Sequence, residues 1–359
     1  MLRRALFMMV GLTLALAVAA PAQEEKKAEK KEPPAEKKAE KAPPKKAEEK
    51  KAEEKKGEKA APKDDGLLRM QWKLEKDKPF YQEMTTRTVQ HMKVMGMDVD
   101  QTQEQTFYFK WTPVEQTDGK WKIQQKIDGV KMKIDIAGNP ISYDSTAAGG
   151  GANSALAEFF RSLVGAEFTL TLDENFKVVN VEGRDAFLKK LTQANQAMEP
   201  LLKQILSDEA LKQMADPTFG AVPPEPKKVG DTWTSTTTLD LGPIGTYENK
   251  HTYTYKGKDE TDKKLDRIEV TTDLTYKAPS ENKEGLPFQI DSAELKSTDP
   301  KPGVILWNPE TGRVESARFE VKLDGNLKLT IGGMKTTVDL KQEQTTEMKT
   351  SDQGFIKAG

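Results

Sequence analysis

The sequence predicts a mainly β protein with a helical insert, its long antiparallel hairpins forming curved sheets or a half-open barrel. Three observations predict it. From Leu67 to about Thr350, apolar and polar residues alternate over runs much longer than the usual ~5–6 residues of a strand. Turn residues punctuate these runs, Asp118-Gly119 being the plainest hairpin signal. Between Arg184 and about Ala215 the apolar period becomes helical instead. Long twisted strands coil as they extend, which is why a curved sheet is expected rather than a flat one.

Two N-terminal segments precede that fold. Met1 to Ala22 reads as basic Arg3-Arg4, an apolar run, then the small residues Ala20-Pro21-Ala22. That order predicts a secretory signal peptide cleaved near Ala22; the run is shorter than the ~20 residues a membrane anchor needs. Residues 23–65 hold only Lys, Glu, Ala, Pro, Gln, Asp and one Gly. With no aromatic or β-branched residue to bury, this segment is expected to be a disordered linker, a spacer or a solubilising tail. Its Lys and Glu recur at four-residue spacing from Lys45 to Lys59, a pattern that supports transient helix.

Composition sets further bounds. The 359 residues carry a formal net charge of -1 and no cysteine. Disulfides, thiolate metal sites and lipoprotein acylation are therefore excluded. A balanced charge and a sign-alternating linker argue against a nucleic-acid partner. The expected location is extracytoplasmic, either periplasmic or secreted, and after cleavage the protein is not expected to be integral to a membrane.

The β-rich domain is placed at 66–350 and divides into a first β half (66–182), helices (183–216) and a second β half (217–350), followed by a tail at 351–359. "GLLRMQWKLEKDKPFYQEMTTRT" predicts a short strand, a Lys-Asp-Lys-Pro turn and a long strand. Strands on either side of Asp118-Gly119 follow. Next come a strand ending at "SYD", a Gly-rich connector, a short helix and a hairpin at Asp173-Glu174-Asn175. In the helical insert, Phe187, Leu188 and Leu191 make one stripe and Leu201, Leu202, Ile205 and Leu206 another. Pro200 suits a first helical turn, and Ser207 suits a cap. After "GAVPPEPKKVGDTW" the chain returns to hairpins. "GMDVDQTQEQTFYF" (Gly96 to Phe109) echoes "GMKTTVDLKQEQTTEM" (Gly333 to Met348), which two related β halves or mere likeness of composition would explain.

One hairpin carries the functional expectation. A two-residue turn at Met95-Gly96 sets Lys93 opposite Asp98, His91 opposite Asp100, Arg87 opposite Glu104 and Thr85 opposite Thr106, the pattern of a solvated face. The other face carries Met92, Val94, Met97 and Val99 at the tip and Met84, Phe107 and Phe109 at the base. Thr86, Thr88, Gln90, Gln101, Gln103 and Gln105 lie between. A one-sided sheet would leave that polar middle exposed. A concave sheet would set it around water or a ligand, because bare burial of an amide costs roughly 1–3 kcal/mol. On the second reading Met84, Met92, Gln101, Gln103, Gln105, Phe107 and Phe109 face a ligand.

Several strings carry a resemblance. "YDS" (Tyr143 to Ser145), "LVGAEFTLTLDENFKVVNVEG" (Leu163 to Gly183), "SDEALKQM" (Ser207 to Met214) and "GDTW" (Gly230 to Trp233) resemble, in order from about Leu67 to Thr350, an exported bacterial family of unknown function, number 6263. The resemblance implies an extracytoplasmic β-rich domain and names no catalytic residue. In physical terms, Gly230-Asp231 reads as a turn feeding Trp233 into a core. Asp144-Ser145 reads as a strand end whose side chains bond local backbone.

No catalytic constellation, cofactor site or metal site is expected. His91 and His251 are both read as exposed strand positions, without metal-ligand spacing. "AAGGGANSA" lacks the Lys-Ser/Thr ending of a phosphate loop, and no G-x-S-x-G elbow occurs. Carboxylates abound, but abundance is not pairing. The expected function is therefore an exported, non-catalytic envelope protein binding a lipid-like or glycan ligand, or an envelope component, on a concave sheet. The alternative is a structural or interaction protein that contacts envelope polymer and has no pocket. Neither reading fixes an oligomeric state.

Overall fold

The computed structural model describes residues 66–147, 155–194, 196, 199–219, 221–223, 225–279, 288–298 and 301–356. The expected signal peptide and charged linker, most of the Gly-rich connector and the last three residues lie outside the described residues.

Thirteen strands form one antiparallel sheet, ordered β6-β5-β3-β2-β1-β13-β12-β10-β9-β8-β7. The first hairpins are long: β1 Phe80–Val94, β2 Met97–Thr117 and β3 Lys120–Ile136. Shorter strands follow at β4 Asn139–Asp144, β5 Glu167–Leu172 and β6 Val178–Glu182. After the helices come β7 Thr232–Asp240, β8 Thr246–Lys258, β9 Asp266–Lys277, β10 Phe288–Ser297 and β11 Gly303–Asn308. The chain closes with two more long strands, β12 Arg313–Ile331 and β13 Met334–Ser351. Since β1 pairs with β13, the strands before and after the helices share a single sheet.

The sheet forks on either side of its central strands. The far edge of β3 is shared end to end by β4 and β5. That of β12 is shared by β10 and β11. Bulges between Tyr108 and Phe109, Pro113 and Glu115, Tyr255 and Gly257, and Ile290 and Ser292 bend the strands and let the sheet curl. Pro113 thus sits beside an irregularity, where its missing N–H costs no regular ladder bond. Gly325 at φ 153° lets β10 approach β12, since a Cβ there would stand 1.8 Å from the Glu294 carbonyl oxygen.

Curling stops short of even closure. The helices are α1 Ala155–Leu163, α2 Arg184–Ala194, α3 Glu199–Ile205 and α4 Asp208–Phe219. Helix α4 packs against both β6 and β7, the two edge strands of the sheet. The helix thus lies beside both strands that end this strand order. Both apolar stripes read in the insert are buried, as is Leu211. Ser207 Oγ accepts the Ala210 N–H at 3.1 Å and caps α4.

Buried side chains form two clusters. The larger contains the aromatic group Trp72, Trp111, Phe219 and Trp307, whose ring centroids lie 5.0–5.7 Å apart. The smaller contains Met92, Val94, Tyr276, Ile290, Leu295, Leu327, Leu329, Val338 and Leu340. One element differs from expectation. The segment before β1 is extended but forms an isolated bridge, Leu68 with Lys227, and a backbone bond from the Lys73 N–H to the Gly312 carbonyl, while Leu68, Met70 and Trp72 enter the core.

The strings behind the family resemblance have structural roles. Trp233 is buried, donates from Nε1 to the Ala221 carbonyl at 3.1 Å and stacks on Tyr253 with centroids 5.2 Å apart. Asp231 accepts the Lys228 N–H, making the turn. Ser145 Oγ accepts the Val130 N–H at 2.8 Å, and Asp144 holds Thr146 and lies 3.5 Å from Lys131.

Candidate binding face

The hairpin turns at Met95-Gly96, both in the left-handed region with φ 50° and 83°. The turn is therefore of the tight two-residue kind that matches strand twist, and it sets every partner. Arg87 faces Glu104, His91 faces Asp100 and Thr85 faces Thr106, all on the solvated side. Their side chains meet: Arg87 Nε donates to Glu104 at 3.1 Å, His91 Nδ1 lies 2.7 Å from Asp100, and the two threonine hydroxyls are 2.9 Å apart.

On the opposite face the structure adds a third strand. Gln90 lies between Gln101 and Gln342, Thr88 between Gln103 and Gln344, and Thr86 between Gln105 and Thr346. Nine amide and hydroxyl side chains thus make a three-by-three grid across β2, β1 and β13. Apolar residues frame it on all sides. Toward the tip stand Val99, Met92 and Leu340, and toward the base Phe107, Met84 and Met348. Ile136, Ile134 and Met132 of β3 flank one side, and Leu323, Val321 and Phe319 of β12 the other.

The polar middle is not solvated. Gln101 is 1% exposed, Gln103 3% and Gln105 4%, and Thr86, Thr88 and Gln90 are equally buried. This overturns the reading of an exposed one-sided sheet, because the curl of the sheet encloses the face. On β13 Gln342, Gln344 and Thr346 are only half-buried, so the grid is closed over β1 and β2 and more open along β13. Met84, Met92, Phe107 and Phe109 are all buried on the same face. Met97, at the tip, is exposed instead.

Hydrogen bonding within the grid is incomplete. Gln90 Nε2 donates to Gln342 Oε1 at 2.6 Å, and Gln342 Nε2 reaches Gln344 Oε1 at 3.5 Å. Both amide atoms of Gln103, the Thr88 hydroxyl and Gln90 Oε1 are buried with no partner. Each such atom costs about 1–3 kcal/mol if left bare. Amides and hydroxyls donate and accept hydrogen bonds without changing charge near neutral pH. The grid can therefore hold and orient a polar group, but it supplies no acid, base or activated nucleophile.

The same change from apolar to polar recurs on β8, where Asn249 and His251 are buried between Tyr247 and Tyr253. His251 was expected to be exposed. Instead it points inward with alternate β8 residues, its Nδ1 2.9 Å from Thr272 Oγ1. His91 is exposed, as expected. Burial pushes the Tyr247 and Tyr276 hydroxyls well above their ordinary range, and Tyr276 donates to the Ile244 carbonyl. Among the described residues no cluster of three His, Asp or Glu side chains could hold a metal ion, and no helix is long and apolar enough to cross a membrane.

Residues 118–299, half of the chain, match the family of unknown function DUF6263. The chain belongs to that family. All four strings that carried the resemblance fall inside the match, which is shorter at both ends than the span from Leu67 to Thr350. It runs from the β2–β3 turn through β10, so the three strands of the grid lie outside it. No curated protein matches. Among solved structures, a lipovitellin described for its lipid–protein interactions shares 11% identity over 80% of this chain, with a TM-score of 0.41. The chain spans only 26% of that protein. DynF, from the dynemicin biosynthesis pathway of Micromonospora chersina, shares 9% identity over 81% of this chain and 85% of its own, with a TM-score of 0.17. OccK5 of Pseudomonas aeruginosa shares 4% over 77% and 98%, with a TM-score of 0.22. Likenesses this low carry nothing about ligand or activity to this chain.

Sequence reading found the β1 and β2 members of the grid and missed those of β13. The signal was present in the repeated Gln-Glu-Gln-Thr, but nothing local says that β13 lies beside β1.

Proposed function

We propose that this is an exported, non-catalytic envelope protein that holds an amphiphile against the inner face of its curled sheet. The polar part of the ligand would sit over Gln101, Gln103 and Gln105. Its apolar part would lie along Met84, Met92, Phe107 and Phe109, and entry would be from the half-buried β13 side. One observation carries the reading: Gln103 is buried with both amide atoms unpartnered inside an apolar frame. Native proteins rarely leave such atoms bare, so a water or a ligand polar group is the natural partner. Export rests on the basic, apolar and small-residue order of Met1 to Ala22.

A second reading is a structural envelope protein without a ligand. It is favoured by the near-zero exposure of Gln103, which leaves no room beside it in this conformation. Native mass spectrometry of the full chain purified from its own cells separates the two. A bound small molecule, released on denaturation and absent from a Gln103→Leu variant, is the expected result. Protein of bare polypeptide mass, in wild type and variant alike, would leave the structural reading standing.

A further inference from the structure

On the outer side of β1, β2 and β3, away from the grid, lies a cavity of about 190 Å³. The C-terminal residues roof it. After β13 ends at Ser351, Asp352 pairs with Arg313, Phe355 packs against Tyr108 with ring centroids 6.5 Å apart, and Ile356 covers Gly129. The packing is close, since a Cβ on Gly129 would stand 2.6 Å from Ile356 Cδ1 and displace that side chain.

Four aromatic residues and one carboxylate line the space, Tyr81, Tyr108, Phe109, Phe355 and Asp128, together with Gly354 and Ile356. Asp128 is the extra residue of a bulge, because Tyr108 pairs with Gly129 and Phe109 with Ile127. The bulge leaves Asp128 without a partner on β2, and it lines the cavity beside the rings. Among the described residues no lysine or arginine lies within ion-pair distance of it. Burial pushes its carboxyl above the ordinary range, with Lys126 and Lys110 pulling it back and Glu167 adding to the rise. Lys131 already lies 5.9 Å from the centre of the Tyr108 ring, so that ring has a cation as neighbour.

We propose that this cavity binds a small organic ammonium ion, its charge held between the ring faces and the Asp128 carboxylate. Ring faces attract such cations, most strongly when water is excluded, and a nearby carboxylate supplies the counter-charge. A volume below the ~300–1,000 Å³ of ordinary ligand pockets suits a headgroup-sized ion. The same chemistry is carried by free choline and by the headgroup of a phosphatidylcholine. The cavity shares Phe109 with the concave face but none of the amides of the grid.

Calorimetric titration of the full chain with choline chloride, against sodium chloride at equal ionic strength, tests it. Saturable choline binding is expected, weakened about tenfold or more by Asp128→Asn and by Phe355→Leu in variants with unchanged circular dichroism. Flotation with phosphatidylcholine vesicles, against phosphatidylglycerol, identifies the source. Choline-dependent flotation lost in both variants assigns the headgroup, and choline binding without flotation assigns the free ion. No choline binding above the sodium blank, or binding unchanged by both substitutions, overturns the proposal.

Discussion

Gln103 stands directly across the β1–β2 ladder from Thr88, and neither its amide nor the Thr88 hydroxyl has a hydrogen-bond partner. Two adjacent strands thus present unpartnered polar atoms to one point of an otherwise apolar frame. Replacing Gln103 with Leu removes both amide atoms at similar volume. The denaturation midpoint should rise, with a gain on the order of 1–3 kcal/mol, when no ligand is bound. Urea unfolding of ligand-stripped protein measures it. A clear loss of stability would show that ordered water already satisfies the amide.

The outer face of the same hairpin should tolerate change. The side chains of Arg87 and Glu104 are 70% and 40% exposed, so their pair is screened by water. Arg87→Glu should cost only ~0.2–1 kcal/mol, and adding Glu104→Arg should recover most of it in a double-mutant cycle. Failure of the swap to rescue would count against the Arg87–Glu104 contact.

Trp233→Ala should be severe. The ring is buried, bonded to the Ala221 carbonyl and stacked on Tyr253. Truncating such a ring costs about 3–5 kcal/mol. A midpoint unchanged in urea would make Trp233 a surface contact rather than a core residue.

Asp259 should make the protein sensitive to acid. The Thr261 hydroxyl first, then the Thr261 and Asp262 amides and Arg267, hold its carboxyl well below the usual range, outweighing the opposing effect of burial. A carboxyl whose folded value is depressed stabilises the fold above its unfolded value of ~3.9 and loses that contribution as pH falls toward the folded value. The stability difference between wild type and Asp259→Asn should therefore be largest near neutral pH and shrink below about pH 4. A difference that stays constant from pH 6 to about pH 2 would mean the charge is not what Asp259 contributes.

How much of this could be read from the sequence depended on distance along the chain. The β1–β2 register was legible because one turn fixes it, even though Met95 is an unusual residue at left-handed φ. Helix stripes and the Ser207 cap were legible for the same reason. By contrast, no local pattern says that Leu68 pairs with Lys227, more than 150 residues away, while Met70 and Trp72 enter the core.

The sequence by itself determined the alternation that makes the strands, the turns that join them, the helical insert, and which residues of β1 and β2 share a face. Tertiary structure alone decided whether that face was wet or buried. Thr88 meets Gln103 through a two-residue turn, but it meets Gln344 only after the whole sheet has been laid down between them. Adjacent pairing follows from chain geometry, whereas distant pairing must overcome loop-closure entropy and depends on every strand between. For that reason the grid, its apolar frame and the Gln103 amide enclosed within it emerge only in the folded sheet.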